Sequence, residues 1–180
     1  MTAMSTFSGK RINPVNVNAQ DICLEDIAHA LSLLCRGGGH IKRFYSVGQH
    51  SINCAKEAEA RQWSKKLCAA CLLHDASEAY IADVIRPVKV YLDNYMDIEN
   101  AFMRAIFKKF KLNDLSEDDN KKWKMIDDIM LGYELKALMN GHENDVAEGL
   151  ITKPDVSERH WKDVEKEFID MARRLICDKE

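Results

Sequence analysis

Residues 68 to 89, running from Cys68 through His74-Asp75, Glu78 and Asp83 to Arg86-Pro87-Val88-Lys89, gather the groups most able to do chemistry. Cys68, Cys71 and Leu72 fall at helical spacing, so His74 and Asp75 emerge at the end of an element made mostly of core. An ionised carboxylate placed there needs a charged partner, because burying it alone costs several kcal/mol or forces it to neutralise. A divalent cation is one such partner. A histidine near a helix end also serves as a cap or as a satisfied core group, so the pair gains meaning only with further ligands. Glu78 lies four residues beyond His74 on the same helical face, where it can address something held by His74 without displacing it. Asp83, Arg86 and Lys89 add an acid and two cations at the far end, and Pro87 is expected to stop a helix near Arg86. An acid, a cation and two bases side by side suit a phosphate ester better than a peptide or an acyl group.

The elements that must carry these groups read as helices. Three prolines and eight glycines punctuate 180 residues, and alternation of period two is weak. Residues 1–20 look irregular or briefly extended. Asp21 offers an N-cap to a helix with Ile27, Ala28, Leu31, Leu34 and Cys35 on one face, ending about Arg36. Gly37-Gly38-Gly39 breaks it, without the flanking strand and Gly-Lys-Ser of a P-loop. Ser46 is the expected cap of a helix bearing His50 in its first turns. Further helices are expected over 89–110, 119–139 and, after a loop at 140–154, over 157–177 with Ser157 as its cap. The fold class is all-α, a bundle of six or seven helices. Within the helix at 119–139, Asp127 shares a face with Trp123, Met130, Leu131 and Glu134, which makes it a candidate ligand or one of a solvated pair with Asp128.

Composition bounds the rest. The length fits a single domain, residues 1–180, with a real core. With 26 basic and 29 acidic residues the net charge is −3, which leaves no electrostatic footprint for a nucleic-acid duplex or an anionic membrane. No apolar run approaches the roughly 20 residues of a membrane span, and the polar start resembles no signal peptide, so a cytoplasmic protein is expected. Cys23, Cys35, Cys54, Cys68, Cys71 and Cys177 sit within helical patterns and read as small buried hydrophobes. The Cys68/Cys71 pair admits a zinc or redox reading but lacks a second pair.

His50, His74-Asp75 about two dozen residues later, and an isolated acid some fifty residues beyond together resemble the HD-domain metal phosphohydrolases, in particular the bacterial 5'-deoxynucleotidases of the YfbR type. The likeness runs from about Asp21 to Met139 and rests on four segments in order: 27–40, Phe-Tyr-Ser-Val-Gly-Gln-His-Ser at 44–51, 72–89 and 126–139. It implies an all-helical HD fold with one divalent transition metal (Mn, Fe, Co, Ni or Zn) on His50, His74, Asp75 and Asp127. Asp127 is preferred to Asp128 because the pattern sets a Glu seven residues on, where Glu134 stands. Glu78 is implied to orient or deprotonate the attacking water, Asp83 to lie near the sugar and phosphate, and Arg36, Arg86 and Lys89 to bind phosphate. The implied activity is hydrolysis of a small nucleotide, a deoxyribonucleoside 5'-monophosphate first, with another nucleotide or a triphosphate as alternative. A non-catalytic, metal-stabilised regulatory module is the alternative of a different class. A homodimer is also implied. In the deoxynucleotidases an Arg-Trp pair contacts phosphate and base. Here Gly37 follows Arg36, so the base platform is missing or is supplied from elsewhere, as by Phe44 or Tyr45, while His40 reads as an exposed loop residue, with a phosphate contact as the alternative.

Overall fold

The computed structural model describes residues 3–176, so Cys177 at the expected end of the last helix lies outside the described residues. The chain opens with a short antiparallel hairpin of β1 (Met4–Ser5) and β2 (Arg11–Ile12), Met4 opposite Ile12. Among the described residues six helices of nine or more residues follow: α1 (Leu24–Leu33), α2 (Val47–Ala60), α3 (Lys65–Leu73), α6 (Tyr95–Lys109), α7 (Glu117–Leu138) and α8 (Trp161–Ile176). Between α3 and α6 stand two single turns, α4 (Glu78–Ile81) and α5 (Arg86–Lys89). The architecture is all-α, as expected. Among the described residues no helix is long and apolar enough to cross a membrane.

The centre of the bundle is the α2–α3 pair. Every residue of α3 from Leu67 to Leu73 is buried, so beyond Lys65 and Lys66 this short helix has no solvent face and is held by packing rather than by propensity. It lies against α2, α7 and α8, while α2 also meets α1 and α7. Caps fix where each begins: the Ser46 and Ser64 hydroxyls accept the amides of Gln49 and Leu67. Ser116 opens α7 in a reciprocal box with Asp119, its hydroxyl accepting the Asp119 amide while the Asp119 carboxylate accepts from Ser116.

Gly48 sets how closely α1 and α2 approach. A Cβ at this position would lie 3.2 Å from Leu31 C, Ser32 N and Ser32 Oγ, two of them backbone atoms of α1 that cannot swing away. Gly48→Ala is expected to gain about 1 kcal/mol of helix propensity and lose about 1–3 kcal/mol to overpacking. The net result is a modest fall in Tm, read by thermal unfolding, and an unchanged or raised Tm would contradict this packing.

Several boundaries differ from the sequence reading. Cys23 rather than Asp21 precedes α1, because Asp21 is spent accepting the amide of Asn18 at a 3-10 turn. Helix α1 ends at Leu33, not Arg36: an isolated bridge of Cys35 with Ser46, flanked by Arg36 N→Tyr45 O and Val47 N→Leu34 O, pulls the chain extended. Arg36 thereby enters a tight turn whose three glycines all take positive φ, between 61° and 79°. Ala82, at φ 68°, ends α4, and Pro87 stands in the first turn of α5 instead of stopping a helix. Residues 90–94 are turns, with left-handed Asn94 delaying α6 to Tyr95. Ser157 donates its hydroxyl to Asp155, and α8 begins only at Trp161.

Candidate metal centre

Three elements meet where α2 starts and α3 ends. His50 lies in the first turn of α2, His74 is the C-cap of α3, Asp75 follows in the turn, and Asp127 and Glu134 project two turns apart from one face of α7. His50 Nε2 and His74 Nε2 stand 3.2 Å apart. Asp75 Oδ2 lies 3.3 Å from His74 Nε2 and 3.6 Å from His50 Nε2, and Asp127 Oδ1 lies 3.5 Å and 3.3 Å from the same two atoms. The four donors are mutually within 4.8 Å and could hold a metal ion. Asp128, 64% exposed, faces away and among the described residues pairs only with Arg86.

The donor set fits a cation on physical grounds. His50 Nδ1 meets Glu134 Oε1 at 2.7 Å and His74 Nδ1 meets Cys71 O at 2.8 Å, so the tautomers these partners favour place protons on Nδ1. Both Nε2 lone pairs are then aimed at one another, and the one donor beside them is the weak Cys54 S–H, 3.6 Å from His50 Nε2. That is unfavourable unless a proton or a cation intervenes. In a tetrahedral shell with bonds of about 2.1 Å, ligands stand about 3.4 Å apart, within the spread of separations seen. Five carboxyl groups (Asp75, Glu78, Asp83, Asp127, Glu134) lie about the point against three cations (Arg36, Arg86, Lys89). This excess of negative charge favours a divalent ion and disfavours a bare anion.

Electrostatics without a cation follow from the same contacts. Burial would drive both imidazoles neutral, but Asp75 and Asp127 raise His74 well above its ordinary value, and Glu134 and Asp127 raise His50 against burial and the Arg36 charge. Asp127 is held below the carboxylate range, against burial, by hydrogen bonds from both imidazoles and by their charge. Asp75 is likewise lowered, against burial, by His74 and then Arg36. Raised histidines stabilise the fold fully below about pH 6.5 and lose that contribution as pH climbs through their folded values. Depressed aspartates stabilise it above about pH 3.8 and fail only in strong acid. Cation-free protein is therefore expected to melt at lower temperature at pH 8.5 than at pH 5.5, and saturating Mn²⁺ to erase the alkaline loss. Thermal unfolding with chelator or Mn²⁺ checks this, and a chelated protein that gains stability on going alkaline would refute the arrangement.

Glu78, expected on the same helical face as His74, instead opens the separate turn α4 after the chain bends at 74–77. It is buried, and its Oε2 has no hydrogen-bond partner among the described residues. Burial first, then the charges of Asp75 and Asp83, push its carboxyl well above the usual range. The three expected phosphate cations are all engaged with carboxylates. Arg36, its side chain 14% exposed, reaches Glu134 (2.9 Å), Asp75 (3.2 Å) and Asp127 (3.6 Å). Arg86, 58% exposed, spans Asp127 (2.5 Å) and Asp128 (2.7 Å). Lys89 holds Glu99 at 2.7 Å and lies 3.6 Å from Glu78. Asp83 accepts the Gly37 amide at 2.9 Å and so pins the glycine turn that carries Arg36.

Sequence reasoning missed the groups that hold the ligands. Glu134 is buried and binds Arg36 Nε, Tyr45 Oη and His50 Nδ1 at once. Tyr45 donates to it from the core with no exposed surface, which removes Tyr45 as a base platform. Phe44 remains half-buried. Asn53 donates to Tyr45 Oη and to Asp155 O. Gln49, Asn53 and Glu57, each one turn apart on α2, clamp the incoming chain: Gln49 donates to Asp155 O and Ser157 O, and Glu57 accepts the amides of Ile151 and Thr152. Their four-residue spacing was the available signal.

The other histidines stay outside the centre. His40 is exposed, His29 stacks on Phe7 near Glu165, His142 meets Asp145, and His160 stacks on Trp161. Cys68 and Cys71 are buried, burial pushing the Cys68 thiol up to about 11 and Cys71 further, and neither joins a group of donors that could hold a metal ion among the described residues.

No family model matches the chain. It is similar to the uncharacterized protein YfdR of Escherichia coli (strain K12), 37% identical over 112 residues, which is 62% of this chain and 60% of that protein. An uncharacterized protein of Rhodobacter capsulatus is 33% identical over 112 residues, 59% of this chain and 57% of its own length. The chain thus spans about three fifths of the length of the curated relatives it matches.

Proposed function

We propose that this chain is an HD-type, metal-dependent phosphohydrolase that cleaves the phosphate ester of a small nucleotide, a deoxyribonucleoside 5'-monophosphate first. The single observation that carries the reading is the buried Glu78 carboxyl, its Oε2 without a hydrogen-bond partner among the described residues, set beside a four-donor cluster of two imidazoles and two aspartates. His50, His74, Asp75 and Asp127 would hold the cation. When bound, it would polarise the phosphoryl group and acidify water. Glu78, made more basic than an ordinary carboxylate by burial and by Asp75 and Asp83, would take up the proton of the attacking water from its ionised form, which a neighbouring cation favours. Arg36, anchored through Nε on Glu134, has its two remaining nitrogens aimed at Asp75 and Asp127, where they can turn to a phosphate oxygen once those carboxylates serve a cation. Lys89, tethered by Glu99, restrains the charge of Glu78 and supplies a second cation to phosphate.

Phosphate release over a panel of nucleoside mono- and triphosphates, with Mn²⁺, Co²⁺, Ni²⁺, Fe²⁺ and Zn²⁺ in turn, tests this. Monophosphate hydrolysis is the expected outcome, and absence of turnover with every metal would sink the proposal. Release of pyrophosphate or triphosphate would move the substrate to a longer nucleotide.

A further inference from the structure

Cys54 lies one turn beyond His50 on α2, buried, with its Sγ 3.6 Å from His50 Nε2. His50 Nε2, Cys54 Sγ and His74 Nε2 fall within 4.8 Å of one another, and the same two nitrogens form the other group with Asp75 and Asp127. Cys54 does not belong to that second group. The two imidazoles therefore serve two donor sets of different softness. With a metal–nitrogen bond of about 2.1 Å and a metal–sulfur bond of about 2.3 Å, a tetrahedral N···S edge is about 3.6 Å. His50 Nε2 and Cys54 Sγ stand at that separation, and His74 Nε2 lies within 4.8 Å of both.

We propose that His50, Cys54 and His74 form a second cation position, for a thiophilic ion such as Zn²⁺ or Cd²⁺, that shares both imidazoles with the carboxylate side and so excludes an ion from it. Thiolate favours soft cations, whereas two carboxylates suit Mn²⁺. On binding, the Cys54 S–H bond breaks, its proton goes to solvent, and the sulfur lone pair binds the ion. The exclusion rests on the carboxylate-side reading above; the thiol site itself does not. In the proposed enzyme, a soft metal would act as an inhibitor by occupying the histidines from the sulfur side.

Cd²⁺ titrated into the full chain preloaded with Mn²⁺ tests this, with the ultraviolet thiolate-to-cadmium band and the electron paramagnetic resonance of released Mn²⁺ as readouts. The first equivalent is expected to raise the band and release Mn²⁺. In Cys54→Ala, and independently in Cys54→Ser, that band is lost and release needs at least about tenfold more Cd²⁺. Cys68→Ala keeps the behaviour of the natural sequence. A band and a release that survive both Cys54 substitutions overturn the proposal, as does a natural chain whose cadmium NMR resonance shows no sulfur ligand. If Mn²⁺ never binds the natural chain, the carboxylate-side reading fails, and loss or retention of the cadmium band in the Cys54 variants still decides the thiol site.

Discussion

Glu78→Gln is expected to lower kcat by about 10²- to 10⁴-fold while leaving Mn²⁺ affinity nearly unchanged. The substitution keeps the volume of the side chain but removes its capacity to take a proton. Its Oε2 has no partner among the described residues, so little stability should be lost with it. The cost of burying a carboxyl among Asp75 and Asp83 is relieved by an amide, and the variant should melt at the same temperature or slightly higher. A variant that binds Mn²⁺, gains stability and hydrolyses at the parent rate would remove Glu78 from the chemistry. Equal ligand binding by parent and variant, without turnover by either, would favour the regulatory-module alternative.

Asp127→Asn should act in the opposite way, on the cation itself. Outer hydrogen-bond partners of a metal ligand already cost about 10- to 100-fold in affinity when removed, so loss of a direct carboxylate should cost at least about 100-fold. Asp127 also answers Arg36, Arg86 and both imidazoles. Removing a member of such a buried network typically costs about 3–5 kcal/mol, because its partners stay behind unpaired. The cation-free variant is therefore expected to unfold at distinctly lower temperature, and calorimetric Mn²⁺ titration to show weak or no binding. Asp128→Asn, altering an exposed neighbour that meets only Arg86 among the described residues, is the comparison: it should leave Mn²⁺ affinity unchanged. Equal losses in the two variants would mean that charge in general, not the Asp127 oxygen, attracts the ion.

The helical class was legible because apolar residues recur at three and four along α1, α7 and α8, and Ser46 marks where α2 begins. The places where the reading slipped share a cause. Arg36 leaves α1 because Cys35 bridges Ser46, and Ala82 and Asn94 take positive φ although neither is glycine; these are decisions of tertiary contact with no local signature. Among the site residues, His50, His74, Asp75 and Asp127 could be picked out by residue type, spacing and family likeness, and the fold does bring them together. Glu134 was noticed only as a register mark. Its three-way contact joins residues 36, 45, 50 and 134, separations that no periodicity reports. Arg36, Arg86 and Lys89 were expected as free phosphate groups because sequence shows charge but not who already answers it.

The polar row of Gln49, Asn53 and Glu57 makes the stretch 151–157 a splint bound lengthwise to the helix that carries His50. Residues 141–148 just upstream are mostly exposed and, apart from the Glu143 pair with Lys42, bonded among near neighbours. Limited digestion should therefore nick the chain in 141–148 first and leave the two fragments associated, with the histidine seam undisturbed. A cut inside the splint would free the outer flank of the helix, and the imidazole pair would lose its alignment without any change to a ligand.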